Sequence, residues 1–413
     1  MTGTAVCNRS VELLAPAGGM QQLTAALRFG ADAVYVGIDK YGLRARASNF
    51  DDARLADAVA LTHRQGRRLY AALNAYLWDD ELTAFADSAR QLARLGVDAA
   101  IVSDPGAVAL LREIVPELPL HLSTQANTTN ARAASFWHSQ GVSRIILSRE
   151  LSMERIRVIR KNTPPTLQLE AFVHGAMCAA ISGRCLLSAS LTARSANRGE
   201  CAQPCRWLWK PARGKADNIN DINDSIEIEP TERGAYILSA PDLCMIEHLP
   251  ELIEAGVSTL KIEGRMKNEY SVAALVHAYR TALDHPERAA EAARSLRNIS
   301  QRVTNTGFYY GAPTPSTGAG SPTQQMEYAA RVESVDGGIA EVTIKNKFYV
   351  GDNLDALTPN GCISFTVEWI ETECVRAECA VVPERIARLP IPAGVEAGDI
   401  LRCVNRNHIN KIL

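Results

Sequence analysis

Four cysteines, Cys178, Cys185, Cys201 and Cys205, fall within 28 residues of one another, and a fifth, Cys244, follows an acidic stretch. The remaining five, Cys7, Cys362, Cys374, Cys379 and Cys403, are scattered singly. Gly175, Gly183 and Gly199 break the segment, so its thiolates can turn toward a common point, as a soft metal centre requires. Only Cys201 and Cys205 approach the close pairing usual for structural zinc. The wider spacings suit an iron–sulfur cluster, with a zinc ion as the alternative. A lone thiol here would serve as a small apolar side chain.

Such a segment needs a scaffold, and the first 300 residues supply an alternating one. Apolar runs at 12–16, 33–38, 68–76, 99–104, 120–124, 144–150, 166–174 and 259–265 are separated by amphipathic stretches such as 19–29, 80–95 and 242–255. Eight such units predict an α/β fold, a closed (β/α)8 TIM-like barrel over 10–310. The alternative, an open doubly wound sheet, usually carries a GxGxxG turn, and LLAPAGG does not match it. FGADAVYV, LGVDAAIV, QGVSRIIL and AGVSTLKI each place a glycine where a helix would stop before a strand. Residues 311–325 (GAPTPSTGAGSPTQQ) read as a linker, and 326–413 as a small all-β, barrel-like C-terminal domain. Within it, AARVESV, GIAEVTI, FTVEWIE, RAECAVV and DILRCV read as strands.

In such a barrel the chemistry gathers at the C-terminal ends of the strands. The cysteine segment, about 174–245, lies between the seventh and eighth strands and therefore over that mouth. The same ends offer Asn74, Gln125, Arg149, His174, Glu263 and Arg265. Arg149, Arg184 and Arg265 are candidates to hold a dicarboxylate or phosphate, because guanidinium presents two parallel donors. Arg44 and Arg46 could reach RNA phosphates, and Asn74 and Gln125 could read a base edge. His174 could act as a general acid or base, or donate a hydrogen bond that supports the metal centre, or simply bond to the backbone. Glu263 is the second catalytic candidate, or a partner for Lys261 or Arg265.

From Arg144 to Lys215 there are 13 Lys and Arg against 4 Asp and Glu, although the whole chain of 413 residues carries a net charge of −2. A basic excess around a reactive segment suits an anionic substrate. The C-terminal region, with 9 basic and 13 acidic residues over 326–413, gives nucleic-acid binding no support. No run of apolar residues is long enough to cross a membrane. The N-terminus, MTGTAVCNRSVELLAP, lacks a secretory pattern, so a cytoplasmic location is expected, where clustered cysteines are metal ligands or redox groups rather than disulfides.

The run HGAMCAAISGRCLLSASLTARSANRGECAQPCRW resembles the signature of the collagenase-like peptidase family U32. ELLAPAG, LRARASNF, LSAPDLC, LKIEGRMK and NKFYVGDNLDALTP match it in order, so the resemblance spans nearly the whole chain. Despite the family's name, it implies hydroxylation. For a chain of this two-domain length it implies 5-hydroxyuridine at wobble position 34 of tRNA. Relatives act on a cytidine of 23S ribosomal RNA or in anaerobic ubiquinone synthesis. The resemblance further implies a [4Fe–4S] cluster and prephenate, a dicarboxylate, as co-substrate. Its ligands would be Cys178, Cys185, Cys201 and Cys244, with Cys205 as the alternative fourth.

Two other classes stand beside this one. A peptidase would need a nucleophile, and without HExxH or GxSxG only Cys178 with His174 offers one. A non-catalytic RNA-binding or redox-sensing scaffold is the third. A protein partner is open under all of them.

Overall fold

A computed structural model describes residues 11–42, 49–178, 180–182, 184–207, 240–299, 302–313 and 324–405. Arg44, Arg46, the acidic stretch 217–232 and most of the linker lie outside these residues. No helix among them is long and apolar enough to cross a membrane.

Strands β1 (Glu12–Ala17), β2 (Ala33–Gly37), β3 (Arg68–Leu73), β4 (Ala99–Val102), β5 (Leu120–Leu122), β6 (Val142–Ile146) and β7 (Gln168–Ala176) pair in sequence, all parallel. After β8 (Asp242–Cys244), a short antiparallel addition to β7, comes β9 (Thr259–Ile262). β9 pairs in parallel with both β1 and β7, which closes the barrel and rules out the open sheet. Burial on both faces explains why the strands read as near-continuous apolar runs.

Helices α1 (Met20–Arg28), α2 (Asp52–Arg64), α3 (Leu82–Leu95), α4 (Pro105–Ile114), α5 (Ala131–Ser139) and α6 (Met153–Lys161) cover the outside. They are followed by α7 (Leu187–Thr192) in the cysteine segment, then α8 (Leu249–Glu254), α9 (Glu269–Asp284) and α10 (Ala289–Ser295). Gly30, Gly96, Gly141 and Gly256, the four glycines of the repeated helix-to-strand signature, all have positive φ, from 78° to 102°. A residue with a Cβ would be strained there. The expected helix 242–255 is shorter than its pattern suggested. Its first three residues leave it to extend the sheet, and the helix proper starts at Leu249.

After β10 (Thr304–Asn305) come β11 (Met326–Asp336), β12 (Ile339–Ile344), β13 (Phe348–Tyr349), β14 (Asn353–Thr358) and β15 (Gly361–Thr366). They are followed by β16 (Ile370–Thr372), β17 (Val375–Ala377), β18 (Cys379–Ala380), β19 (Ile386–Pro390) and β20 (Ile400–Val404). Eight form one sheet in the order β15-β14-β20-β11-β12-β19-β16-β17, and β13 pairs with β18. The run FTVEWIE is not one strand, since β15 ends at Thr366 and β16 starts at Ile370. This region packs on α1 and α9. Tyr328, Leu357 and Ile400 join the barrel core, Tyr328 donates to Glu269 (2.9 Å), and Arg28 pairs with fully buried Asp399 (2.7 Å).

Candidate active site at the barrel mouth

Inward-facing strand residues set the floor of the site. Below the mouth the barrel interior holds a network of paired ions. Arg144 Nη1 lies 2.6 Å from Glu12 Oε1 and 3.3 Å from Glu170 Oε2, and Lys261 Nζ lies 2.8 Å from Glu170 Oε1. Tyr70 donates to Glu12 (2.8 Å), and Arg68 reaches the same carboxylate from the N-terminal rim. Each buried carboxylate thus has at least two cationic or O–H partners, the condition for tolerating charge in an interior. The network was missed in the sequence. Its signal is a single charge at an inward position of an apolar strand, as in ELLAP, VSRII, LQLEAFV and TLKI.

Beside the network sits His121, fully buried, its ring edge-on to Tyr70, its Nδ1 without a hydrogen-bond partner in the structure. Burial, with Arg144 and Lys261 nearby, holds its pKa well below the ordinary value. The folded chain therefore keeps it neutral while the unfolded chain binds a proton below pH ~6.5. Stability should fall as pH drops through that value, by up to about 1.4 kcal/mol per pH unit from this residue. Urea titrations from pH 7 to 5 should show a shallower decline in His121→Leu than in the unaltered chain. Parallel curves would refute the assignment.

Above the ions, a cavity of about 80 Å³ opens at the C-terminal ends of the strands. Asn74, Gln125, Arg149, Glu263 and Arg265 line it, with Ser123 and Thr124 from the same strand end as Gln125, and with Tyr35, Phe172 and Lys261, which the sequence reading had not placed in the site. Arg265 crosses the mouth to lie on Gly37, where an added Cβ would stand 1.7 Å from its Nη1. The last residue of β2 must therefore be glycine for this side chain to take its position.

Arg149 joins the cavity to the cysteine segment. Its Nη1 donates to Ala176 O (2.8 Å), its Nε and Nη2 approach Ser182 Oγ (3.4 Å), and Nη2 approaches Cys178 Sγ (3.5 Å). Glu150 accepts from the Ser182 amide (3.0 Å), fixing the same stretch of chain. Arg184 is exposed and does not line the cavity.

The structure does not bring His174 to the mouth. Strand alternation from Glu170 through Phe172 would turn it inward, but the β7–β9 pairing steps from Phe172↔Lys261 to His174↔Ile262. The extra residue is a bulge, which re-aims the side chain after it. His174 faces α9 instead, with Nδ1 3.3 Å from Tyr279 OH, and burial pushes its pKa down to about 3. A neutral, enclosed imidazole is poorly placed to exchange protons with a ligand in the cavity.

Of the cysteines, Cys178 is exposed, whereas Cys185, Cys201, Cys205 and Cys244 are half-buried, and none of the five forms a disulfide. Cys201 Sγ accepts from the Gln203 amide (3.4 Å). Cys244 lies opposite His174 in the sheet, with Tyr279 OH 3.8 Å from its sulfur, and burial pushes its thiol pKa up. Among the described residues no three His, Cys, Asp or Glu side chains converge as a single metal ion would need. The donor set nevertheless fits a thiolate-bound cluster, which spaces its ligands more widely than one ion does. Four sulfurs lie on one loop, Cys244 lies on the strand beside the loop's foot, and a guanidinium stands next to Cys178.

A strap holds this loop to the opposite rim. Arg198 binds Glu81 through both nitrogens (2.6 and 3.0 Å), donates to Tyr76 O (2.8 Å) and covers the exposed Trp78 ring. The guanidinium holds the Glu81 carboxyl below its usual pKa range. Glu81→Gln should loosen the loop, with limited trypsin digestion of the apo-protein cutting within 184–207 at least about threefold faster. This fold-change corresponds to about 0.65 kcal/mol of easier opening, within the range of one exposed pair. An unchanged digestion rate would show that the strap carries no load.

A closed (β/α)8 barrel with a cation-lined mouth, crossed by a cysteine-rich loop, defines an enzyme of the barrel class with its site where barrel enzymes carry theirs. The chain belongs to peptidase family U32. The family model "Peptidase family U32" matches residues 18–318, and the model of its C-terminal domain matches 324–402. It is 36% identical to the tRNA hydroxylation protein P of Escherichia coli over 87% of this chain and 89% of that protein. Against the Haemophilus influenzae protein of the same name the identity is 34%, over 86% of this chain and 88% of that one. The 23S rRNA 5-hydroxycytidine C2501 synthase of Escherichia coli is 37% identical over 68% of this chain and 40% of its own length.

Proposed function

We propose that this chain is an RNA hydroxylase that forms 5-hydroxyuridine at position 34 of tRNA. The observation that carries the reading is the near full-length similarity to tRNA hydroxylation proteins from two organisms. The geometry supports it, since one arginine touches both a polar, cation-lined cavity and the first cysteine of the loop. Cys178, Cys185 and Cys201 would hold a [4Fe–4S] cluster, with Cys244 as fourth ligand and Cys205 as the alternative. When bound, the cluster would supply one-electron chemistry beside the cavity.

The chain's own residues do the rest. Arg149 and Arg265 hold the carboxylates of prephenate or a similar dicarboxylate, Asn74 and Gln125 offer donors and acceptors to the edge of a base, and Glu263 is the carboxylate available to accept a proton. His174 serves as a positioning residue that fixes Tyr279 beneath Cys244. For the peptidase reading the structure supplies no supporting dyad, because His174 faces α9 while Cys178 sits by Arg149 on the cavity side. The similarity to the ribosomal RNA synthase keeps a cytidine of 23S rRNA as the second substrate reading.

Nucleoside mass spectrometry of tRNA and ribosomal RNA from cells with and without the gene tests the proposal. Loss of 5-hydroxyuridine and its derivatives from tRNA alone is expected. Loss of a hydroxycytidine from ribosomal RNA would transfer the reading to that substrate, and unchanged RNA in both pools would end it.

A further inference from the structure

Lys261 belongs to β9 and lies at the floor of the cavity, 4% exposed. Its ammonium stands over two aromatic rings, 4.5 Å from the centre of Tyr35 and 5.4 Å from that of Phe172. The structure gives it one hydrogen-bond acceptor, Glu170 Oε1, and Arg144 binds the other oxygen of that carboxylate. An ammonium carries three donors, so the side of Lys261 that faces the cavity retains donor capacity for a ligand.

The described lining carries three cations, Lys261, Arg149 and Arg265, against one carboxylate, Glu263. These cations stand at two depths. Lys261 is level with Phe172 inside the strand layer, whereas Arg149 and Arg265 come from beyond the strand ends. A ligand matched to both levels has two anionic ends and a short uncharged middle. A phosphate monoester concentrates its charge at one end and engages one level only.

We infer that Lys261 is the specificity-determining residue of this mouth, binding the inner carboxylate of a small organic diacid while the guanidiniums above take the outer one. The inference rests on the proposed use of a dicarboxylate and assigns it a floor. Glu170 and Arg144 act as positioning residues that hold the ammonium upright between the two rings.

The test is calorimetric titration of the purified full chain with succinate, inorganic phosphate and acetate, none of which requires RNA. The unaltered chain should prefer succinate at least tenfold over either of the other two. In Lys261→Met that preference should collapse to within threefold. Glu170 keeps Arg144 in this variant, so the fold should persist. The double variant Lys261→Met/Glu170→Gln removes the buried pair as a unit and answers the same question if the single variant does not fold. Succinate binding that is absent from the unaltered chain, or unchanged in the variants, would overturn the inference. So would equal weakening of all three anions, which marks a purely structural role. These outcomes leave the RNA hydroxylase reading standing, just as unchanged RNA in a deletion strain would leave a succinate result standing.

Discussion

Under the proposed RNA hydroxylase function, Arg149→Ala should leave less than about one per cent of the RNA modification made with the unaltered chain, while any iron bound by the unaltered chain stays within about twofold. The expectation follows from what the guanidinium joins. It is anchored to Ala176 O and approaches Ser182, lies over the Phe172 ring, and presents Nη2 to Cys178 while facing the cavity. Misplacing a positioning group by an ångström costs about a hundredfold in rate, and its loss removes charge-assisted hydrogen bonds as well. Arg149→Lys should rescue little, because an ammonium cannot reach the loop carbonyl, the serine and the sulfur together. Nucleoside mass spectrometry of a complemented deletion strain, with iron and sulfide analysis of each variant, makes the measurement. Near-normal modification in Arg149→Ala would remove this residue from the site. Loss of iron with modification would make it a support for the loop instead.

Glu170→Ala should cost about 3–5 kcal/mol of stability, the range for breaking a buried ion pair by removing one member. Glu170 is fully buried and shared by Arg144 and Lys261. Arg144 would retain Glu12, whereas Lys261 would lose its carboxylate partner. Burial already disfavours the charged form of Lys261, so the variant should meet the loss partly by releasing that proton. Urea titration followed by circular dichroism reads the change in midpoint. A loss below about 1 kcal/mol, the worth of a surface pair, would show that this carboxylate behaves as a solvent-screened group and not as a buried one.

The barrel was legible because parallel strands buried on both faces and helix-ending glycines repeat eight and four times with little variation. Asn74, Gln125, Arg149, Glu263 and Arg265 were legible for a related reason. Polar residues just beyond an apolar strand converge when the strands close into a ring, and the cavity lining contains all five. The facing of His174 was not legible because a bulge changes facing by one residue without altering composition, and alternation alone carries Glu170 and Phe172 onward to an inward histidine. Asp242–Cys244 was read as helix because three residues hold no period, and only the overhanging end of β7 makes them a strand. The charges of Glu12, Arg144, Glu170 and Lys261 were visible, yet their pairing spans up to 132 residues of chain between Glu12 and Arg144, which no local pattern can reveal.

The ionic interior also bears on the order in which the chain becomes a protein. During synthesis Glu12 emerges long before Arg144, and Glu170 must wait for Lys261 on the last strand of the ring. A nascent chain that has reached β7 already offers Glu12 its Arg68, Tyr70 and Arg144 partners and Glu170 its Arg144, and lacks only Lys261. Until β9 emerges, Glu170 is short of one cation and β1 and β7 each lack the strand that closes the ring, so partial rings gain less from compaction. Closure is favoured only when β9 docks between β7 and β1, which makes ring assembly a single late event rather than a strand-by-strand accretion. Half-barrel fragments of this chain should accordingly remain expanded, in contrast to fragments of barrels whose interiors are filled by leucine and valine.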